Sequence, residues 1–142
     1  MAEPSVFTRI ISGEWSGHFV WRSNDVVAIM TIAPIRPGHV LVIPARQVDR
    51  WTDLDAATWA EVTRVAHVVG SVMDPLYPGT RVGVIVAGME VPHCHVHLVP
   101  VRHEGELSFA LADTSATPES LAGEADRIRA ALTAAGHNEA SA

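Results

Sequence analysis

One cysteine, no internal repeat and no long apolar run characterise this sequence of 142 residues. Because Cys94 is the single cysteine, the chain cannot form a disulfide within itself, which fits a reducing cytoplasm. No apolar run reaches the length that crosses a membrane. The first residues lack the basic segment and apolar core of a signal peptide. We therefore expect a cytoplasmic protein that does not associate with a membrane.

Charged residues are also scarce, at 18%, and the formal net charge is −6 with neutral histidines. This balance argues against a nucleic-acid partner or an anionic membrane surface, although a small anionic ligand could still be held by local groups. Hydrophobic residues make up 48% of the chain, so it has enough apolar surface to fold. We expect one domain over residues 1–142, with a frayed tail at 136–142.

Hydrophobic periodicity predicts an α+β domain in which hairpins dominate. A helical turn is expected at 7–11, and strands are expected at 18–23, 26–32, 39–44, 80–87 and 91–100. A long helix should begin at Asp53 or Asp55 and end near Met73, and a C-terminal helix should run from Thr117 to about Ala135. Residues 107–111 fit either an extra edge strand or an irregular arm. The pattern predicts a five-stranded antiparallel sheet with both helices on one face.

Three of the eight histidines recur at every second position within residues 91–100. Flanking valines and Leu98 favour a β-strand, in which successive side chains point to opposite faces. His93, His95 and His97 should then share one face, while Cys94 and Val96 join Leu98 on the other. Three imidazoles on one face are typical of metal ligands, proton carriers or nucleophiles near neutral pH.

Three interpretations of this histidine row are open from the residues alone. The row could be a solvated or chance run. It could be a metal site, since His95 and His97 plus His39 could supply three ligands, although Cys94 points to the wrong face. It could also serve covalent catalysis, in which one imidazole attacks phosphorus while its neighbours hold phosphate oxygens and steer protons.

Three stretches together resemble the histidine triad family. They are His-Cys-His-Val-His-Leu-Val at 93–99, Phe-Thr-Arg-Ile-Ile-Ser-Gly-Glu at 7–14 and Pro-Gly-His-Val-Leu-Val-Ile-Pro at 37–44. Their order and spacing agree as well, so the resemblance covers about residues 5–101. Residues 102–135 would then form a C-terminal arm and helix outside this core.

The resemblance implies a nucleotide-binding hydrolase or transferase. His95 would be the nucleophile that forms a nucleotidyl-histidine intermediate, which water then breaks to release a nucleoside monophosphate such as AMP. His93 and His97 would position the phosphate oxygens and the attacking ring, and His39 would be the fourth histidine. The substrate would be a nucleoside phosphoramidate or a dinucleoside polyphosphate. No metal or other cofactor is expected, because a histidine nucleophile must not be coordinated.

The same resemblance implies a purine nucleotide pocket on the hairpin, the opening segment and the loop before the histidines. Its residues would be Val6, Phe7, Ile10, Ile29, Thr31, Ile32, Leu41, Gly88, Met89, Glu90 and Val91. For Ile29, Ile32 and Leu41, a plain core position is the alternative. Thr31, Met89 and Glu90 differ from the residues that many relatives carry there. An alternative function is therefore a nucleotide-binding or regulatory protein with negligible turnover.

A homodimer is the assembly that the resemblance implies. The long helix has small or apolar residues outside its core-facing stripe, at Ala56, Ala57, Ala60 and Val68. Trp51 precedes the helix and has no obvious place in one domain, and open sheet edges invite pairing. The alternative is a monomer whose C-terminal helix covers these positions.

Three further histidines, outside the row and the resemblance, are expected to be surface residues. They are His67, His103 and His137.

Overall fold

The chain forms one antiparallel sheet with two long helices on one face. The structure is a computed structural model that describes residues 2–142. The helices are α1 Val6–Ile11, α2 Ala56–Met73 and α3 Pro118–Ala134, and the strands are β1 Phe19–Arg22, β2 Val26–Met30, β3 Val40–Pro44, β4 Arg81–Ile85 and β5 Val96–Val101. The predicted α+β class with five antiparallel strands is confirmed.

The order of the strands across the sheet is β1-β2-β3-β5-β4. The last strand, β5, therefore lies between β3 and β4, and its register sets His97 opposite Leu41 on one side and Ile85 on the other. As a result, β5 is an inner strand beside β4, which forms one edge of the sheet.

Both long helices pack on the same face of the sheet and form the main core. In α2, the Asp55 side chain accepts a hydrogen bond from the Thr58 N–H, and the buried residues Val62, Val65, Val69 and Met73 follow at helical spacing. In α3, Thr117 caps the first turn, and Leu121, Ala125, Ile128 and Leu132 are buried. These two caps and both apolar stripes agree with the sequence prediction.

The opposite face of the sheet carries two smaller apolar clusters and the short helix α1. The first cluster consists of Phe7, Phe19, Val27, Ile29, Leu41 and Ile43. The second consists of Ile35, Val99 and Val101, with Leu107 and Ile85 packed against it. The histidines lie on this face, between the two clusters.

The strand prediction for residues 91–95 is wrong, because β5 begins only at Val96. The backbone bends before that point: the His93 N–H donates to the carbonyl of Val91 at 2.8 Å, and the Cys94 N–H donates to that of Val48 at 2.7 Å. Pro92, which lies between Val91 and His93, has no N–H to donate to a strand ladder. His93 and His95 are therefore held by a bend, and only His97 is a strand residue.

Two further predictions fail at the chain's later part. The tail 136–142 is not frayed, since the Arg22 N–H donates to the carbonyl of Glu139 at 2.9 Å and Ala140 packs against the main core. His137 is half-buried, and its ring lies 5.7 Å from that of Trp21. His67 and His103 are exposed, as expected.

Residues 107–111 do not form an edge strand. They belong to an irregular arm with 3-10 turns at Glu104–Glu106 and Phe109–Leu111, which was the second of the two expected forms. Strand β2 also ends at Met30, two residues earlier than predicted, where the Ala33 N–H donates to the Thr31 hydroxyl in a turn. Among residues 2–142, no helix combines the length and the apolar character needed to cross a membrane.

Candidate active site

The four histidines singled out from the sequence come together on one face of the sheet. His93 and His39 are 0% and 2% exposed, and His95 and His97 are each 8% exposed. The centre of the His97 ring lies 4.7 Å from that of His95 and 5.1 Å from that of His39. Phe7 of α1 contacts the other side of His95, with 4.9 Å between the ring centres.

Both ring nitrogens of His93 are used within the protein. Its Nε2 lies 2.7 Å from the carbonyl oxygen of Pro44, which can only accept, so Nε2 carries the proton. Its Nδ1 then accepts from the Ser5 hydroxyl at 2.7 Å, and burial lowers the pKa of the ring. His93 is thus a neutral, fixed ring with no nitrogen free for a phosphate oxygen, and it holds its neighbour through its backbone instead.

His95 has the tautomer that a nucleophile needs. Its Nδ1 lies 2.8 Å from the carbonyl oxygen of His93, so Nδ1 carries the proton and Nε2 keeps its lone pair. Burial lowers the pKa of His95, which leaves the ring neutral near pH 7. A single backbone hydrogen bond therefore leaves the lone pair of Nε2 free.

His39 and His97 form a second chain of hydrogen bonds whose direction is fixed. The Ile35 N–H donates to His39 Nδ1 at 3.0 Å, so His39 donates from Nε2 to His97 Nδ1 at 2.9 Å. His97 must then carry its proton on Nε2. Burial and neighbouring imidazoles lower the pKa of His39 to about 4 and that of His97 to about 3. His97 thus offers a neutral N–H donor beside His95.

The expected nucleotide residues fall into separate groups in the structure. Phe7, Ile29 and Leu41 are buried in the first apolar cluster, with Ile10 and Val91 packed against it, so the core alternative describes Ile29 and Leu41 well. Ile32 lies beyond the end of β2 and is 79% exposed, so the core alternative is wrong for it. Thr31 is half-buried, and its hydroxyl accepts from the Ala33 N–H.

The remaining expected residues lie at the edge of this group. Val6 is 43% exposed on α1. Gly88, Met89 and Glu90 line a different cleft, of about 410 Å³, together with residues 49–52, Ala87 and Pro92. Met89 is 91% exposed, which is unusual for a large apolar side chain. The loop before the histidines therefore faces the segment that contains Trp51.

Two residues beside the histidines were missed from the sequence. Ser5 both caps α1, accepting from the Thr8 N–H, and donates to His93. A serine three residues before Thr8 at a helix start is a recognisable capping pattern, but its reach to His93 depends on the fold. Phe109 lies in the arm, 4.9 Å from His97 between ring centres, and no periodicity marks it.

We predict that Ser5→Ala destabilises the protein by about 1–3 kcal/mol, because it removes a helix cap and leaves Nδ1 of His93 with only the more distant Thr8 hydroxyl, at 3.4 Å. Urea denaturation measures the loss, and nitrogen NMR shifts report the tautomer of His93. Ser12→Ala is the control, since Ser12 is an exposed residue at the other end of α1. Equal stability of the two variants, with the His93 shifts unchanged, would contradict the assignment.

Stability should also depend on pH. The pKa values of His39 and His97 are lowered in the folded protein, so the unfolded chain binds more protons below pH 6.5. The stabilisation is complete above pH 6.5 and is lost as the pH falls toward about 4 for His39. Each such histidine contributes up to about 1.4 kcal/mol per pH unit to the slope of the unfolding free energy.

Urea denaturation between pH 7 and pH 5 measures this slope, and His39→Gln, which cannot be protonated, should reduce it. A slope that His39→Gln leaves unchanged would contradict the protonation of His39 on unfolding.

The comparison with known proteins agrees with this geometry. The family model described as "HIT domain" matches residues 12–104. A bifunctional bis(5'-adenosyl)-triphosphatase/adenylylsulfatase from Arabidopsis thaliana is 35% identical over 78 residues, which are 51% of this chain and 43% of that relative. The chain spans less than half the length of this and two further curated relatives.

Solved structures share nearly the whole fold. A Hit-like protein from Bartonella henselae, described as involved in cell-cycle regulation, superposes with a TM-score of 0.76 at 28% identity, over 89% of this chain and 95% of that one. A zinc-bound histidine triad protein from Mycobacterium smegmatis has the same TM-score at 25% identity, over 92% and 94% of the two chains. With the domain match and the four clustered histidines, this chain belongs to the histidine triad family.

Proposed function

We propose that this protein is a nucleotidyl hydrolase that acts through a nucleotidyl-histidine intermediate and releases a nucleoside monophosphate such as AMP. The observation that carries the proposal is the hydrogen bond from His95 Nδ1–H to the His93 carbonyl, which leaves a lone pair on Nε2. The substrate is a nucleoside phosphoramidate or a dinucleoside polyphosphate. The bis(5'-adenosyl)-triphosphatase/adenylylsulfatase from Arabidopsis thaliana supports adenine nucleotides as the substrate class.

The reaction has two steps. His95 Nε2 attacks the phosphorus, and the leaving group departs with the electron pair of its bond to phosphorus. Positive charge then develops on the His95 ring, where the Nδ1–H donor strengthens its bond to the His93 carbonyl. A water molecule next attacks the phosphorus and loses a proton, the electron pair of the phosphorus–nitrogen bond returns to Nε2, and AMP is released.

His97 stabilises the negative charge that builds up on the phosphate oxygens. Its Nε2–H is a neutral donor whose direction is set by the hydrogen bond from His39 to Nδ1. A neutral donor that is 8% exposed works in a site of low dielectric constant, where its dipole counts for more than in water. His39 acts through His97 and therefore serves as a positioning residue.

The apolar cluster beside His95 supports the position of the nucleoside. Phe7 packs edge-on against His95, and the partly buried Ile10 packs against the same cluster, so an apolar surface for a purine lies next to the phosphate. Thr31 offers one hydroxyl to the ribose, and that hydroxyl already accepts from the Ala33 N–H. This modest ribose contact favours the second candidate, a nucleotide-binding protein with negligible turnover.

We propose that the reaction needs no metal ion. Hydrogen bonds within the protein occupy both ring nitrogens of His93 and both of His39. They also occupy Nδ1 of His95 and Nδ1 of His97, so only the two Nε2 atoms of His95 and His97 are without a partner in the cluster. A catalytic zinc site usually takes three protein ligands. Over residues 2–142, no group of three or more histidine, cysteine or acidic side chains is placed to hold one ion.

We predict that His95→Ala abolishes the release of AMP from an adenosine phosphoramidate, with a loss of at least about a thousandfold in kcat, because the nucleophile is gone. Liquid chromatography follows AMP, and mass spectrometry of the quenched parent should find one nucleotidyl group on the peptide that contains His95. His103→Ala is the matched control, since His103 is an exposed histidine outside the cluster.

Two outcomes would contradict this function, and a third would contradict the proposal that the reaction needs no metal. If His95→Ala released AMP as fast as the parent, His95 would not be the nucleophile. Tight AMP binding by calorimetry without turnover of phosphoramidates or dinucleoside polyphosphates would establish the binding-protein candidate. If dialysis against a chelator removed stoichiometric zinc together with the activity, the proposal that the reaction needs no metal would be wrong, and the zinc-bound Mycobacterium smegmatis relative would be the better guide.

We also propose that the protein is a homodimer formed through β4 and α2. Strand β4 is at the edge of the sheet, and Val84 on it is 59% exposed. A groove of about 940 Å³ lies between β4 and α2. Helix α3 leaves Ala56, Ala57 and Ala60 exposed, which weakens the monomer alternative, whereas Val68 packs against the main core. Trp51 stacks on Trp59, with 4.9 Å between ring centres, and stays 42% exposed.

Light scattering across a dilution series should give twice the chain mass of 15.2 kDa at micromolar concentration. Val84→Arg should shift the mass to that of one chain, because a charge at the edge of β4 opposes strand pairing. Ala134→Arg, at an exposed position of α3, is the control that keeps the dimer. A parent mass of 15.2 kDa throughout would contradict the dimer.

A further inference from the structure

The loop at residues 34–38 fixes the orientation of His39 through its backbone. The Ile35 N–H donates to His39 Nδ1 at 3.0 Å, and the Arg36 carbonyl accepts from the His39 N–H at 3.2 Å. Because His39 donates from Nε2 to His97, this loop also decides which nitrogen of His97 carries its proton. A displacement of the loop would therefore reach the donor that the proposed reaction places beside the phosphate.

The arm that follows β5 holds the first part of this loop. The Asp113 N–H donates to the carbonyl of Pro34 at 2.8 Å. Ile35 is 6% exposed and belongs to the second apolar cluster, and Leu107 of the arm packs against the same cluster. The backbone donor to His39 therefore lies in a segment whose position depends on the arm.

The last part of the loop is fixed from the helix side of the sheet. Gly38 has a φ of 90°, and a Cβ at this position would collide with the ring of Tyr77, so the ring lies directly against the loop backbone. The Tyr77 hydroxyl in turn donates to Glu124 of α3 at 2.7 Å. Both ends of the loop are thus held by contacts, and Arg36 lies between them.

The middle of the loop faces a buried carboxylate of the arm. Glu106 is 5% exposed and accepts from Nη2 of Arg102 at 2.6 Å and from the Arg102 N–H at 2.7 Å. The side-chain hydrogen bonds from Arg102, and then the backbone one, lower the pKa of Glu106 to about 2, so the carboxylate is charged near pH 7. Arg36 approaches the same carboxylate from the loop, with 3.9 Å between its Nε and Oε1 of Glu106.

Arg36 is held there by charge and not by a hydrogen bond. The distance of 3.9 Å is too long for a hydrogen bond, and across residues 2–142 the buried Nε of Arg36 has no acceptor. A buried donor without a partner costs free energy, which the attraction to the charge of Glu106 offsets. Without that charge the guanidinium would turn toward water and displace the backbone at residues 35–36. The place of the loop therefore depends on one carboxylate that two arginines share.

We propose that Glu106 is a positioning residue for the reaction, and that it acts through Arg36 and the loop on His39 and His97. The proposal rests on the proposed function and adds a residue outside the histidine cluster. The effect should appear in kcat, because His97 stabilises charge that builds up only in the transition state. KM should change little, since the nucleoside is placed on the separate apolar cluster that contains Phe7.

The test is a double-mutant cycle on the release of AMP from an adenosine phosphoramidate. Glu106→Gln should lower kcat by about tenfold, because a small misplacement of a catalytic donor is costly. Arg36→Met, which keeps an unbranched side chain without the charge, should have a similar effect. The two changes together should lower kcat little further than either alone, because both break the same link. Glu104→Gln is the control, since Glu104 is an exposed carboxylate in the same 3-10 turn.

Nitrogen NMR separates positioning from a general loss of structure. The shifts of Nδ1 and Nε2 report the tautomer of each imidazole. In Glu106→Gln the two shifts of His97 should move toward each other, as the hydrogen bond from His39 becomes less exclusive. Glu104→Gln should leave them unchanged. Urea denaturation of each variant shows that the loss of kcat is measured on folded protein.

Each outcome decides for or against this role of Glu106. The proposal is overturned if Glu106→Gln keeps the parent kcat, or lowers kcat as much in the Arg36→Met background as in the parent. A lowered kcat with unchanged His97 shifts would also overturn it, because Glu106 would then act only on stability. If Glu106→Gln does not fold, Arg36→Met decides, since its effect on kcat should vanish in a His39→Ala background. If the parent releases no AMP, the proposed function falls, whereas the His97 shifts still test the link.

Discussion

The site depends on one backbone hydrogen bond, from His95 Nδ1–H to the carbonyl of His93 at 2.8 Å. A side chain cannot reach the carbonyl two residues earlier while the chain is a regular strand, because the strand is extended and its carbonyls point toward neighbouring strands. The bend before Val96 removes this restriction. The carbonyl is then fixed because the His93 ring is held between Ser5 and Pro44. The orientation of the His95 ring is therefore set by a departure from the strand.

The sheet supplies the second requirement, which is a set of neutral imidazoles at close range. Because β5 pairs with β3, His97 lies on an inner strand, where it meets His39 from just before β3. Burial disfavours the charged form of each ring, so the pKa values fall and all four rings stay neutral near pH 7. The tautomer of each imidazole is then fixed by its hydrogen bonds. The backbone N–H of Ile35 can only donate, and the carbonyls of Pro44 and His93 can only accept.

The fold and the four histidines could be predicted because their signals are local and periodic. The stripes of α2 and α3, the caps Asp55 and Thr117, and the alternation along the strands are all properties of short windows of sequence. The bend at 91–95 could not be predicted, because the alternation of His93, His95 and His97 continues through it and its partner is the carbonyl of Val48, far away in the chain. The arm shows no hydrophobic periodicity in the sequence. Its position depends on Glu106 and Leu107, which contact residues that are distant in the sequence.

The two sides of the histidine cluster differ in a way that suits a two-step reaction. The Phe7 side is a buried cluster, whereas Phe109 on the other side is half exposed to solvent. In the proposed reaction the leaving group must depart before water can attack, because water approaches the phosphorus from the side that the leaving group has vacated. The half-exposed side lets water reach the cluster, while the buried side excludes it. The unequal burial of two otherwise similar phenylalanines thus gives the histidines one open side and one closed side.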